Sequence, residues 1–224
     1  MVIQREALLP FLHLEEWMGK SQIIGRIHNA AKQYKNYFVG NTYMFVYENQ
    51  YVEVMFKKTS FLHLTGVDTK LSAEDFYKHA LKKKGLRPME ISFNKEHPYD
   101  LAEKKTEYLA DLYKITLTDV MIATDVATMT FTYSIGITNL EFVICLGDDT
   151  DSVGNVIGSH KIPYSFRIEE IKNSKFNALF EVTHILKKST FSKKYNILTF
   201  GDKEKIKELP QIIQEKIELA VINN

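Results

Sequence analysis

The chain of 224 residues has an ordinary composition for a globular protein, with 45% hydrophobic and 25% charged residues. Its net charge of +1 at pH 7 excludes a polycation, so any contact with nucleic acid must come from local lysine clusters. A single cysteine, Cys145, excludes an internal disulfide and favours a reducing cytoplasm. No apolar run reaches the roughly 18–20 residues of a membrane span, and residues 1–6 lack a signal-peptide layout.

The beginning of the chain predicts helices followed by a hairpin. Apolar residues at helical spacing predict helices over 6–18 and 20–36. Residues 42–48 and 51–57 are rich in Tyr, Phe, Val and Met, and the polar residues between them predict a turn. The sequence therefore predicts a helical N-terminus packed beside an antiparallel pair of strands.

The segment after this hairpin alternates along the chain, which is typical of an extended strand. In that conformation Leu62 and Leu64 point one way, whereas Phe61, His63 and Thr65 point the other. A titratable ring and a hydroxyl would then share one face, close to two lysines. Such a face could present an acid–base group and cations to a phosphate.

Two more helices and a strand are predicted in the middle of the chain. Ser72 is a natural helix cap with Asp75 three residues on, and the helix that follows is predicted to end at Gly85. A short strand over 89–93 and a helix over 98–114 come next.

The rest of the chain predicts mainly strands and then one last helix. An amphipathic helix is predicted over 203–221. We therefore predict an α+β fold, with N-terminal helices packed on a mainly antiparallel β-sheet and a C-terminal amphipathic helix. No linker divides the chain, so residues 1–224 are predicted to form one compact unit (helical segment 1–38, α+β core 40–200, last helix 203–221). The predicted strands are 118–124, 127–134, 139–146, 155–158, 162–168, 179–187 and 194–200.

Motifs for cofactors and metals are absent from the sequence. It contains no Gly-rich phosphate loop, dinucleotide fingerprint, nucleophile elbow, Cys-x-x-Cys pair or His-Glu-x-x-His helix. The acidic segment 148–154 fails the spacing of a calcium loop and predicts a hairpin turn instead. We therefore predict no cofactor and no metal site.

Histidines, lysines and hydroxyls on β elements are the remaining candidates for chemistry. One group contains His63 and Thr65, and a second contains His184 with several lysines and hydroxyls. Such groups suit RNA cleavage without a metal, because histidine can carry protons in both directions near neutral pH and lysine stabilises phosphate charge. The alternatives are structural: lysine runs are commonly solvated, and His184 alternates with apolar residues as a core histidine would.

Residues 56–67 (FKKTSFLHLTGV) and 72–77 (SAEDFY) resemble a nuclease family of phages and mobile elements, in the barnase–EndoU–colicin–RelE class. Residues 180–188 (FEVTHILKK) resemble the closing strand pair of that family. The resemblance covers residues 40–200 and implies an α+β endoribonuclease that needs no metal. It also implies that His63 and Thr65 belong to the signature block.

On this basis we expect His63 to act as general base or acid and Thr65 to donate a hydrogen bond to phosphate. Only one of the two adjacent lysines that end the hairpin is expected to serve the site, because neighbours on a strand point to opposite faces. The residues predicted to bind phosphate or to carry the second proton are Lys57, Lys58, Lys187, Lys188 and His184.

Three classes of function stay open from the sequence. The first is a toxin-like or phage-encoded ribonuclease in the cytoplasm, with RNA as substrate, a host or immunity protein as a further partner, and no membrane. The second is a non-catalytic protein on the same fold that binds a host protein or nucleic acid. The third is a structural component of a virion. An open basic cleft around His63 and Thr65 would favour the first, whereas burial of both would favour the others.

Overall fold

The computed structural model describes residues 9–128, 131–168 and 176–223. Residues 6–8 of the first predicted helix and residues 129 and 130 of a predicted strand lie outside these ranges. Helices precede and cover a large sheet, so the predicted α+β fold class is confirmed. Within the described ranges, none of the helices combines the length and the apolarity that crossing a bilayer requires.

The first helix, α1, spans Leu9–Tyr37 and replaces the two helices predicted over 6–18 and 20–36. Gly19 does not break it. A side chain at Gly19 would lie 2.8 Å from the Tyr99 hydroxyl, so this glycine permits close approach of another helix instead of a turn. The Ser21 hydroxyl donates to the Trp17 carbonyl one turn earlier, at 2.9 Å, and is accommodated within the helix.

Three shorter helices follow, α2 (Ser60–Thr65), α3 (Ala73–Leu81) and α4 (Tyr99–Leu109). The Ser72 cap of α3 is confirmed, since its hydroxyl accepts from the Asp75 backbone N–H at 3.1 Å. The helix predicted over 98–114 divides into α4 and a 3-10 turn at Leu112–Thr116. The predicted strand 89–93 is wrong, because Pro88–Glu90 form a 3-10 turn.

Nine strands form one sheet within the described ranges: β1 (Asn41–Tyr47), β2 (Gln50–Met55), β3 (Met121–Ala127), β4 (Thr132–Thr138), β5 (Val143–Thr150), β6 (Val156–Arg167), β7 (Ala178–Glu181), β8 (His184–Ser189) and β9 (Ile197–Phe200). Their order in the sheet is β7-β3-β4-β5-β6-β2-β1-β8-β9. Only the β2–β6 pair is parallel among these neighbours. The strand predicted over 179–187 is two strands, β7 and β8, which lie near opposite ends of this order although two residues separate them. The sheet therefore curves so that its ends approach.

The C-terminal segment covers β1 and β8 on the face of the sheet opposite the one on which the N-terminal helices pack. Ile206, Ile213 and Ile217 are fully buried there against Met44 and Leu186. The predicted apolar face is thus present, but the single helix predicted over 203–221 is wrong. A 3-10 turn (Lys203–Glu208), α5 (Gln211–Gln214) and α6 (Leu219–Asn223) replace it. Pro210 precedes α5 as its cap and prevents a continuous helix.

The segment 61–65 is helical, not extended as its alternation predicts. Phe61, Leu64 and Thr65 are buried at helical spacing, whereas His63 is exposed. The predicted shared face of His63 and Thr65 is therefore wrong. Over only five residues, the apolar positions 61, 62 and 64 fit both a strand and about one and a half turns of a helix, so the pattern alone could not distinguish the two.

Candidate functional site

A pocket of about 260 Å³ opens between α2 and the strands β5 and β6, where the chain leaves β2. Its walls include Lys57, His63, Asp149 and Tyr164. Two of these four residues, Lys57 and His63, come from the block that the sequence singles out. The other two come from a hairpin about a hundred residues later in the chain.

The position of His63 follows from the way α2 is anchored. Phe61 and Leu64 are fully buried on the core side of this short helix, which leaves His63 on the side of the pocket. Gly66 ends the helix in the left-handed region, with φ of 75°. A Cβ at Gly66 would lie 3.3 Å from the Ala102 Cα, so α2 and α4 are in close contact there. The histidine is thus held on a fixed support.

The pKa of His63 lies below its ordinary value. Partial desolvation of the ring is the main cause, and the neighbouring His97 and Lys105 add to it. All three effects disfavour the imidazolium form. His63 is therefore neutral at pH 7, the state in which a histidine accepts a proton.

The other half of the site is a buried carboxylate, Asp149, which is only 2% exposed. The Lys57 ammonium donates to one of its oxygens, and His160 Nε2 lies 2.9 Å from the other. Burial alone would raise the pKa of Asp149, but hydrogen bonds from Lys57 and His160 outweigh it and hold the pKa below its ordinary value. Asp149 is therefore ionised at neutral pH and fixes both basic groups.

Irregular pairing of β5 with β6 creates room for these side chains. The ladder shifts register between Asp148 and Thr150, which is typical of a β-bulge. Gly158 adopts a φ of 72°, and a Cβ there would lie 3.2 Å from His160 Nδ1. The glycine thus permits both the backbone kink and the position of the imidazole.

Two histidines, a lysine and a buried carboxylate can together move protons at a bound anion. His63 can accept a proton, His160 is oriented by Asp149, and Lys57 supplies positive charge. Across residues 9–128, 131–168 and 176–223, no three His, Cys, Asp or Glu side chains come together as metal ligands would. Lys57 and Asp149 lie in the wall of the pocket, and His160 joins them through its contact with the Asp149 carboxylate.

Thr65 does not line this pocket. Its side chain is fully buried, and its hydroxyl donates to the Leu62 carbonyl at 2.7 Å. The same oxygen accepts from the Val67 backbone N–H at 3.3 Å. In the structure this hydroxyl closes the end of α2, and the expected hydrogen bond from Thr65 to phosphate stays a prediction.

His184 lies on the opposite face of the sheet from His63. It stands across from Val46 in the β1–β8 ladder, and Val46 packs with Leu186 under the C-terminal segment. His184 is 3% exposed, with Nδ1 3.0 Å from the Thr183 hydroxyl and Nε2 2.9 Å from the Asp202 carbonyl. The structure thus gives His184 the position of a satisfied core histidine and does not bring it to the pocket.

The predicted lysines are distributed over different surfaces. Lys57 alone of the predicted four lines the pocket, whereas Lys58 is exposed at a neighbouring hollow. Lys187 is half-buried and stands opposite Tyr43. Lys188 lies on the other face, with its ammonium 4.0 Å from a Glu53 oxygen. The structure does not gather these cations at one phosphate.

Sequence reasoning missed Asp149, His160 and Tyr164. The segment 148–154 predicts an acidic hairpin turn, and Asp151 does accept hydrogen bonds from the turn backbone. Asp149 instead points inward. The usable signal is an acidic pair followed by Gly-Ser-His-Lys at 158–161, where a glycine beside a histidine interrupts a strand pattern.

The model of one protein family, described as phage-Barnase-EndoU-ColicinE5/D-RelE like nuclease4, matches residues 26–204. This range contains the pocket and the three stretches, 56–67, 72–77 and 180–188, that carry the resemblance seen in the sequence. The match indicates the nuclease class of barnase, EndoU, the colicins and RelE. The chain belongs to this phage-associated nuclease family. No curated protein and no solved structure matches it.

Proposed function

We propose that this protein is a metal-independent endoribonuclease of a phage or mobile genetic element. The observation that supports the proposal best is that His63, Lys57 and Asp149 line one pocket, with His160 bound to the Asp149 carboxylate beside it. RNA is the proposed substrate because its 2′-hydroxyl supplies a nucleophile within the chain that is cut. The cytoplasm is the proposed place of action, and a host or immunity protein is a further partner.

In the proposed reaction His63 is the general base. Its neutral imidazole removes the proton from the 2′-hydroxyl, whose oxygen forms a bond to the adjacent phosphorus. The Lys57 ammonium stabilises the negative charge on the non-bridging oxygens of the pentacoordinate phosphorane. The bond from phosphorus to the 5′-oxygen then breaks, which leaves a 2′,3′-cyclic phosphate on one product.

His160 is the proposed general acid for the departing 5′-oxygen. For this step the ring of His160 carries a proton on both nitrogens: Nε2–H donates to the Asp149 carboxylate, and Nδ1–H gives its proton to the 5′-oxygen, which leaves a neutral imidazole. The other product therefore ends in a 5′-hydroxyl. Asp149 is a positioning residue, because it contacts the ring of His160 and the ammonium of Lys57 but not the reacting atoms.

The second candidate is a non-catalytic protein on the same fold that binds a host protein or nucleic acid. The ion pair between Lys57 and Asp149 favours it, because the Asp149 carboxylate already neutralises the ammonium that would otherwise bind a phosphate. The net charge of +1 points the same way. The two candidates differ in whether RNA is cut.

The test is cleavage of labelled mixed-sequence RNA in the presence of a chelator, by the wild type and by H63Q and H160Q. Loss of one proton carrier is expected to slow cleavage by about 100-fold or more. H79Q is the matched control, because His79 is half-buried on α3 and pairs with Glu90 outside the pocket. Undiminished cleavage by folded H63Q and H160Q would overturn the assignment, and a folded wild type that cuts no RNA would favour the binding protein.

A further inference from the structure

A second hollow, of about 370 Å³, adjoins the pocket that contains His63. The two concavities share Lys57 and Thr59 as a common wall. The second hollow continues from this wall past Lys58 to Phe191, at the turn between β8 and β9. A chain that extends from a phosphate at Lys57 can therefore enter it directly.

Phe191 is the most exposed large apolar side chain among the described residues, with 94% of its surface accessible. Its burial thus contributes nothing to the fold. The turn that carries it is nevertheless held in place by two backbone hydrogen bonds. The N–H of Thr190 donates to the Gly40 carbonyl at 2.9 Å, and the N–H of Ser192 donates to the Ser189 carbonyl, also at 2.9 Å. A bare aromatic ring is presented on a fixed support.

The surroundings of Phe191 are positively charged. Lys193 and Lys194 follow it on the same turn and are exposed, and Lys58 faces it from the wall of the hollow. The acidic side chain of the lining, Glu74, lies 3.2 Å from the Lys78 ammonium, which offsets its charge. An aromatic ring among lysines is complementary to a nucleotide, which has a flat base and an anionic phosphate.

We propose that this hollow binds one nucleotide of single-stranded RNA next to the nucleotide whose phosphate is cut. The base stacks on Phe191, and Lys58 contacts the flanking phosphate. This inference rests on the proposed function for the position of the cut phosphate, which Lys57 marks. It assigns Lys58 to a flanking phosphate, away from the reacting one, and explains why an apolar ring is left in solvent.

The test measures binding, so that it does not depend on cleavage. A fluorescent single-stranded 2′-O-methyl hexanucleotide cannot undergo 2′-hydroxyl attack, and its affinity is followed by fluorescence anisotropy for the wild type and F191A. Removal of one stacking ring is expected to weaken binding by about 10-fold. F191W is expected to bind as tightly as the wild type, because tryptophan can also stack on a base. K58A is expected to lower the slope of log affinity against log salt concentration by about one, as the loss of one phosphate contact would.

The matched control is F131A. Phe131 is 63% exposed and precedes β4, which is separated from β2 by two strands of the sheet and from β1 by three. Its removal is expected to leave the affinity unchanged. Equal affinities of wild type, F191A and F131A would overturn the inference, as would a wild type that does not bind the hexanucleotide. If F191A alone loses affinity for the hexanucleotide and the wild type cuts no RNA, the subsite is supported and the proposed catalysis is contradicted.

Discussion

Replacing Lys105 with methionine is expected to stabilise the protein at neutral pH. Lys105 lies on α4 with only 6% of its surface exposed, and its ammonium makes no hydrogen bond or ion pair with any of the described residues. Its stem packs over Gly66, where a Cβ would lie 2.8 Å from the lysine Cδ. Burial, followed by the positive charge of Arg167, lowers the pKa of Lys105 to about 8.

The size and sign of the effect follow from this pKa. Each tenfold change in proton affinity is worth about 1.4 kcal/mol, so a fall from 10.5 to about 8 corresponds to about 3 kcal/mol. Below pH 8 both the folded and the unfolded chain hold the proton, and the folded state bears the full cost. As the pH rises from about 8 toward 10.5 the folded state loses its proton first, so this cost disappears.

The assay is urea unfolding of the wild type and K105M at pH 7 and at pH 10. The variant is expected to be more stable at pH 7 by up to about 3 kcal/mol, with a smaller difference at pH 10. K104M, an exposed neighbour on the same helix, is the control and should show neither effect. A K105M protein that is no more stable at pH 7, or whose advantage is the same at both pH values, would refute the reasoning.

The pKa of His63, followed by NMR, is expected to rise in K105M, because Lys105 is one of the charges that lower it.

Three further substitutions are expected to have smaller effects. T65V removes the hydroxyl that closes α2 and should cost about 1 kcal/mol of unfolding free energy without changing RNA affinity; weaker RNA binding by folded T65V would restore its predicted contact with phosphate. Y195F removes the donor that lies 2.8 Å from the buried Glu53 carboxylate, and thermal unfolding should show a loss of about 1–3 kcal/mol; unchanged stability would mean that Glu53 finds another donor. D149N removes a carboxylate whose pKa is lowered on folding. Ionised Asp149 stabilises the wild type above the ordinary pKa of an aspartate, and this stability is lost as the pH falls through the lower pKa of the folded state. D149N should lack this contribution, so its stability should fall less in acid; stability curves that fall identically with pH in both proteins would contradict the ion pair.

The fold class could be predicted because it depends on local patterns that the sequence displays directly. The Ser72 cap, the β1–β2 hairpin and the β-rich character of the second half are of this kind. The division into strands was less accurate, since those predicted over 155–158 and 162–168 are one strand, β6, and the one predicted over 179–187 is two. The errors arose where a local pattern has two meanings. Gly19 resembles a helix stop but serves a helix–helix contact, and 61–65 alternates like a strand but packs as a helix. That residues 1–224 form one compact unit stays a prediction.

The candidate site could be predicted only incompletely, because it joins distant segments. Lys57 and His63 lie in one recognisable block of sequence. Asp149 and His160 reach them through the pairing of β5 with β6 and the parallel contact of β2 with β6, and the sequence does not show which strands become neighbours. His184 resembles His63 in its sequence surroundings, but the β1–β8 register places it on the other face.

The chemical ends of the RNA products test the central claim most directly. Wild-type protein would be incubated with a defined single-stranded RNA in the presence of a chelator, and the fragments analysed by mass spectrometry. Attack by the 2′-hydroxyl with proton transfer through His63 and His160 predicts a 2′,3′-cyclic phosphate on one fragment and a 5′-hydroxyl on the other. Fragments that carry a 5′-phosphate and a 3′-hydroxyl would contradict it, as would cutting of a single-stranded DNA of the same sequence, which has no 2′-hydroxyl.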